Sequence, residues 1–148
     1  MPPKLVSAGD GKTVNVIGNE ITILLRGQDT GGALAVVELR DRPQEGPPPH
    51  IHHREDETFH VLEGTYEFMC GDKTFSAGVG ATIFAPRGVP HAYRQVGSTP
   101  GRLLVSITPA GFEGFFEEVG NLSAAEQEIP RVIEIGEKYG LEFLPPPS

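Results

Sequence analysis

Short apolar segments separated by glycine-containing turns recur along most of this chain. Turn pairs such as Gly18-Asn19, Gly31-Gly32 and Gly71-Asp72 tolerate positive φ and suit tight connections between strands. No helical pattern alternates with these segments, which disfavours a parallel α/β sheet. The pattern predicts an all-β antiparallel sandwich or barrel. The predicted strands are 13–17, 21–26, 33–40, 57–63, 65–70, 73–76, 81–85, 91–96 and 102–108.

The chain of 148 residues fits one domain, 1–148, and no internal repeat indicates a duplicated unit. We expect a barrel over about 13–108 and short helices in a C-terminal tail over about 111–144.

Two helices are predicted in that tail. Phenylalanines recur at helical spacing over 112–119, with glutamates on the other side. A second helix is predicted over 130–139, where Gly140 supplies a stop. We expect both helices to pack outside the barrel; the alternative is a lid.

A second feature is a set of histidines that could face one another. His50 and His52 are two positions apart, and a strand points such side chains to the same side. Glu57 begins the next predicted strand, and His91 begins a strand after the proline-glycine turn at 86–90. Three imidazoles and one carboxylate suit a divalent transition metal such as iron, manganese, nickel, cobalt, copper or zinc.

Taken singly, each of these histidines would be an ordinary surface or loop residue. However, all 5 histidines of the chain lie between positions 50 and 91, and each candidate ligand falls where a strand can face inward. We therefore expect one bound divalent metal ion.

The motif spacing resembles the paired signature of the cupin superfamily. His-x-His, four residues, Glu, six residues and Gly is followed by Gly, five residues, Pro-x-Gly, two residues and His. The resemblance runs from Gly46 to Gln95, where the family pattern usually has Asn. It implies a jelly-roll β-barrel.

By the same resemblance, the metal ligands are His50, His52, Glu57 and His91. Small single-domain cupins related to quercetin (flavonol) dioxygenases are the most similar group. That similarity implies an oxidoreductase in which Glu57 is both ligand and catalytic general base. Cupins are also often homodimers, so we expect a homodimer.

Alternation of side chains also predicts a pocket. Tyr93 and Gln95 should share the inward face of His91, as Phe59 and Val61 should share that of Glu57. Such an apolar lining suits a small aromatic or enolic substrate better than a phosphorylated sugar. We expect Glu57 on the next strand along the chain and His91 from across the barrel.

Three functions stay open on the sequence. The first is a metal-dependent dioxygenase acting on an aromatic or enolic compound. The second is a metal-dependent isomerase or lyase that works without oxygen. The third is a cupin that binds a small molecule without catalysis, because one fold hosts many functions.

The amino-acid composition argues against several classes of binding partner and site. A net charge of -8 without a basic cluster argues against nucleic acid and anionic membrane surfaces. Cys70 is the only cysteine, so an intramolecular disulfide and a thiol-rich metal site are excluded. The start of the chain lacks the apolar core of a signal peptide, and we expect a cytoplasmic protein.

Overall fold

Alternation of buried and half-buried residues defines the strands, as Glu57, Phe59 and Val61 on the inward face of one strand illustrate. The structure, a computed structural model, describes residues 1–145. The elements in chain order are β1 (Lys12–Val16), β2 (Asn19–Leu25), α1 (Gly27–Thr30), β3 (Ala35–Asp41), β4 (His50–His52), β5 (Asp56–Glu63), β6 (Tyr66–Cys70), β7 (Lys73–Ala77), β8 (Thr82–Ala85), β9 (His91–Gln95), β10 (Gly101–Thr108), α2 (Glu113–Gly120), α3 (Ile129–Lys138) and β11 (Leu141–Phe143).

The strands form two antiparallel sheets. One is six-stranded in the order β1-β2-β3-β10-β5-β8, and the other is five-stranded in the order β11-β4-β9-β6-β7. β10 lies between β3 and β5, and β9 lies between β4 and β6. Such pairing of strands distant in sequence is typical of a jelly roll and confirms the predicted all-β fold. The strands pair as two separate hydrogen-bonded sheets, so the fold is a jelly-roll sandwich.

The core lies between the two sheets. Phe59 and Val105 of the first sheet and Phe68 of the second are each at most 2% exposed. The rings of Phe59 and Phe68 lie 5.2 Å apart, so side chains from the two sheets interdigitate.

Both predicted helices are confirmed, and they lie against the sheets. Phe115 and Val119 are the buried apolar residues of α2, and Val132 and Ile135 those of α3. The short α1 and a single 3₁₀ turn at Ala124–Glu126 were not predicted. Within residues 1–145, no helix has the length and apolarity needed to span a bilayer.

The end of the tail contains a strand that the sequence did not predict. Gly140 adopts φ +73 and ends α3, as predicted. The next three residues then form β11, with Leu141 opposite His52 and Phe143 opposite His50. The tail therefore supplies the strand that pairs with the histidine-bearing β4.

Candidate metal centre

Four side chains converge inside the sandwich. His50, His52, Glu57 and His91 each offer a ligand atom, and these atoms all lie within 4.8 Å of one another. All four residues are at most 7% exposed. The structure thus brings together the four residues that the motif spacing predicted as ligands.

The sheets divide the four residues three to one. His50 is the direct partner of His91 across β4 and β9, and His52 lies two positions further along the same face of β4. Glu57 comes from β5, which belongs to the other sheet. The expectation for His91 was therefore wrong, because His91 is the strand neighbour of the histidine pair. Glu57 lies on the next strand along the chain, as predicted, and that strand belongs to the opposite sheet.

The segment before β4 is held on β9 by backbone contacts. The Gln44 amide donates to the Gln95 carbonyl at 2.7 Å, and the Gln95 amide donates to the Glu45 carbonyl at 2.9 Å. A Cβ at Gly46 would collide with the carbonyl of Tyr93, so glycine is needed for this close approach. These contacts bring the chain to β9 just before His50 pairs with His91.

Backbone carbonyls orient two of the imidazoles. Nδ1 of His50 lies 2.8 Å from the Pro48 carbonyl, and Nδ1 of His91 lies 3.4 Å from the Val89 carbonyl. A ring that donates through Nδ1 presents the lone pair of Nε2 to a metal. Both rings are therefore oriented for ligation through Nε2.

The Glu57 carboxylate contacts the other sheet's imidazoles directly. Its Oε1 lies 2.8 Å from Nε2 of His52 and 3.0 Å from Nε2 of His91. Burial alone would raise the pKa of Glu57, but the charge of His52 and hydrogen bonds from both histidines lower it below its ordinary range. The carboxylate is thus held as an anion.

Burial has a different effect on the histidines. It is the largest cause that lowers the pKa of His50 to about 4, with smaller contributions from His91 and His52. Burial would also lower the pKa of His52, but the charge and hydrogen bond of Glu57 raise it above its ordinary value. His50 is therefore neutral near pH 7, as a metal ligand must be.

Aromatic rings surround the imidazoles. Phe112 lies edge-on to His52 with 4.4 Å between ring centroids, and Phe143 lies 6.3 Å from His50. An apolar environment of this kind limits water around a site and strengthens its electrostatics. The sequence showed Phe112 as part of a helical stripe, but no local signal placed either ring beside the histidines.

The four predicted pocket residues, Phe59, Val61, Tyr93 and Gln95, all face inward and are at most 8% exposed. The rings of Phe59 and Tyr93 pack 5.8 Å apart in the core. Gln95 lies four positions from His91 on β9, and its amide bonds to Thr99 and Gly97 in the following loop. Their role in contacting a substrate stays a prediction.

Two cross-strand partners of the ligand residues were not among the predicted pocket residues. Cys70 is opposite His91, and Ala85 is opposite Glu57.

A surface groove of about 490 Å³ lies away from the histidine cluster, between α1 and α2. Arg26, Glu113 and Tyr139 contribute to its lining.

The remaining two histidines lie outside the cluster. His53 is about half exposed, and its Nε2 lies 2.8 Å from Glu142. His60 is half-buried, and its Nδ1 lies 3.0 Å from the Thr82 hydroxyl. Neither residue joins the group of ligand atoms.

The donor set fits a metal ion. Three imidazole nitrogens and one ionised carboxylate, all buried and close together, suit a first-row divalent ion but do not select one.

Comparisons with known proteins give the same fold. Residues 37–107 match the family model of the cupin domain. No curated protein matches the sequence. The structure of KdgF from Halomonas sp. aligns with a TM-score of 0.68 at 16% identity, and the match covers 76% of this chain and 99% of that one.

Two further solved structures are similar. A predicted oxalate decarboxylase from Thermotoga maritima has a TM-score of 0.64 at 20% identity, with 72% of this chain and 99% of that chain covered. The polyketide cyclase RemF from Streptomyces resistomycificus has a TM-score of 0.61 at 28% identity, with 72% of this chain and 80% of that chain covered.

These comparisons do not confirm the finer resemblance to quercetin dioxygenases. The family match supports a cupin domain over residues 37–107, and the solved structures share the jelly-roll fold of this chain.

Proposed function

We propose that the protein is a metal-dependent enzyme that removes a proton from a small aromatic or enolic compound, with addition of dioxygen as the step that follows. The observation that carries this proposal is the cluster of three imidazoles and one carboxylate within 4.8 Å, buried between the sheets. His50, His52, Glu57 and His91 would hold the ion. Four protein ligands leave a position for a substrate oxygen on a five- or six-coordinate metal.

Glu57 is the group that would move the proton. A bound divalent ion would supply Lewis-acid polarisation of the substrate oxygen. Glu57 would accept the proton as an O–H or C–H bond of the substrate breaks, and the electron pair of that bond would stay on the substrate. Nε2 of His52 and Nε2 of His91 would then hold the ion, so the Glu57 oxygen that does not bind the ion would accept the proton.

In the dioxygenase, both atoms of dioxygen enter the deprotonated substrate, so no separate reductant is needed. Phe112 and Phe143 provide an apolar environment beside the histidines, which favours an aromatic or enolic compound over a highly charged one.

A second candidate is an oxygen-independent cyclase, isomerase or lyase. The observation that favours it is the 28% identity to RemF, which is a polyketide cyclase. The same proton transfer to Glu57 would start this reaction, and the substrate would rearrange without dioxygen.

Oxygen uptake separates the two candidates. Protein loaded with iron, manganese, nickel, copper, cobalt or zinc would be mixed with flavonols and with linear polyketones, in air and under nitrogen. Oxygen consumption with stoichiometric product supports the dioxygenase. Turnover that is equal under nitrogen supports the second candidate, and metal-dependent binding of a compound without turnover would leave a binding protein.

Glu57→Gln tests the role of the carboxylate. Measured at saturating metal, this variant should lose at least about 100-fold in turnover because the proton acceptor is gone. Glu63→Gln is the matched control, since Glu63 ends the same strand with an exposed side chain. Unchanged turnover in Glu57→Gln would contradict the proposed general base.

The predicted homodimer and cytoplasmic location stay proposals. Sedimentation of the metal-loaded protein at several concentrations tests the dimer, and a monomeric mass throughout would contradict it.

A further inference from the structure

We propose that Glu55 is a positioning residue for His52, accepting a hydrogen bond from its Nδ1–H when a metal ion occupies Nε2. This inference rests on the proposed metal site and adds a carboxylate that is not among its ligands.

Glu55 is a buried acid in the loop between β4 and β5, only 4% exposed. Its Oε1 has no hydrogen-bond partner among the residues that the structure describes, and neither has Nδ1 of His52. These two atoms lie 3.8 Å apart. Unpaired buried polar atoms are costly, and a hydrogen bond between the two would satisfy both.

The other two histidine ligands each have a hydrogen-bond acceptor beside Nδ1. Nδ1 of His50 and Nδ1 of His91 each face a backbone carbonyl, at 2.8 Å and 3.4 Å respectively. His52 faces a carboxylate instead. A charged acceptor forms a stronger hydrogen bond than a carbonyl and makes the ring a more basic ligand.

Neighbouring contacts fix the loop on both sides of Glu55. The His53 amide donates to the Gly140 carbonyl at 2.9 Å, and Nη1 of Arg54 donates to the Lys138 carbonyl at 3.0 Å. On the other side, the guanidinium and the amide of Arg87 donate to Asp56. A small side-chain movement of Glu55 within this fixed loop is enough to form the bond.

The geometry also separates Glu55 from the ligands. Nδ1 and Nε2 lie on different edges of the imidazole, and Nε2 of His52 is the atom that contacts Glu57. Glu55 therefore lies behind the ring, and it is not one of the four residues whose ligand atoms converge. Its carboxylate and that of Glu57 would together balance the two positive charges of a divalent ion held by neutral histidines.

Nitrogen NMR of the imidazoles tests this role. Zinc-loaded protein labelled with ¹⁵N at histidine would be compared with Glu55→Gln. We expect a slowly exchanging, strongly downfield Nδ1–H resonance from His52 in the wild type. In Glu55→Gln this resonance should move upfield while those of His50 and His91 stay in place, and zinc affinity should fall roughly 10- to 100-fold.

Glu142→Gln is the matched control, because Glu142 pairs with the exposed His53 and should change neither readout. If Glu55→Gln does not fold, Glu55→Asp is measured in the same way, and the shorter side chain should also shift the His52 resonance.

A His52 resonance and a zinc affinity that are both unchanged in the Glu55 variant would overturn the inference while the metal site stands. Failure of the wild type to bind zinc through the histidines would overturn the proposed site, and this inference with it.

Discussion

Oε1 of Glu57 lies 2.8 Å from Nε2 of His52, across the gap between the two sheets. Glu57 belongs to the six-stranded sheet and His52 to the five-stranded sheet. An ion bound by both residues would therefore cross-link the sandwich, and metal binding and fold stability should be coupled.

Zinc should stabilise the folded protein. A ligand that binds only the folded state adds about 2.7 kcal/mol at a free concentration 100 times its dissociation constant. Urea unfolding of the metal-free protein with and without zinc measures this effect. An equal midpoint in both conditions would count against a site that joins the sheets.

His91→Ala should lose most of its bound metal and keep its fold. The substitution removes one ligand of the cluster, so we expect zinc affinity to fall by roughly 100-fold or more. His60→Ala is the control, because His60 lies outside the cluster. Elemental analysis and circular dichroism measure the two properties, and full metal retention by His91→Ala would show that the ligand assignment is wrong.

Asp41 should make stability depend on pH away from the metal site. Its Oδ2 accepts a hydrogen bond from the Tyr66 hydroxyl at 2.8 Å. Burial raises the pKa of Asp41 from 3.8 to about 6, although that hydrogen bond acts in the opposite direction. Since the folded pKa lies above the unfolded one, this contribution to stability is present at low pH and is lost as the pH rises through about 6.

Asp41→Asn tests this effect. As the pH rises from about 4 to about 7, the wild type should lose about 2 to 3 kcal/mol of unfolding free energy that the neutral variant does not lose. The control is Asp72→Asn in the exposed β6–β7 turn, which should follow the wild type. If the unfolding free energies of the wild type and Asp41→Asn changed in parallel with pH, Asp41 would not be the source of this pH dependence.

Leu141→Ala should destabilise the strand pair that carries two of the histidines. Leu141 is 5% exposed and lies opposite His52. Loss of its buried side chain should cost about 3 kcal/mol and also weaken zinc binding. Glu142→Ala, whose side chain is about half exposed, is the neighbouring control. If Leu141→Ala were as stable as the control variant, the pairing of β11 with β4 would contribute little to the stability of the fold.

The four-residue cluster could be predicted because short sequence patterns indicate it. His50 and His52 share a face through simple strand alternation, and the spacing to Glu57 and His91 matches the motif of a known superfamily. Burial of these residues on the inner faces of their strands follows from the same periodicity.

The parts that were not predicted depend on contacts distant in sequence. Which sheet holds Glu57 and which holds His91 follows from strand pairing, and no residue of either strand encodes its partner locally. The strand at Leu141–Phe143 is too short to show a period. Glu55 lies in a loop, where burial of a carboxylate has no sequence pattern.

Anomalous X-ray diffraction at the zinc absorption edge, from crystals of the zinc-loaded protein, tests the metal site most directly. We predict one strong peak about 2.1 Å from Nε2 of His50, His52 and His91 and from a carboxylate oxygen of Glu57. Bound zinc with its peak elsewhere on the protein, and none between these four side chains, would contradict the account.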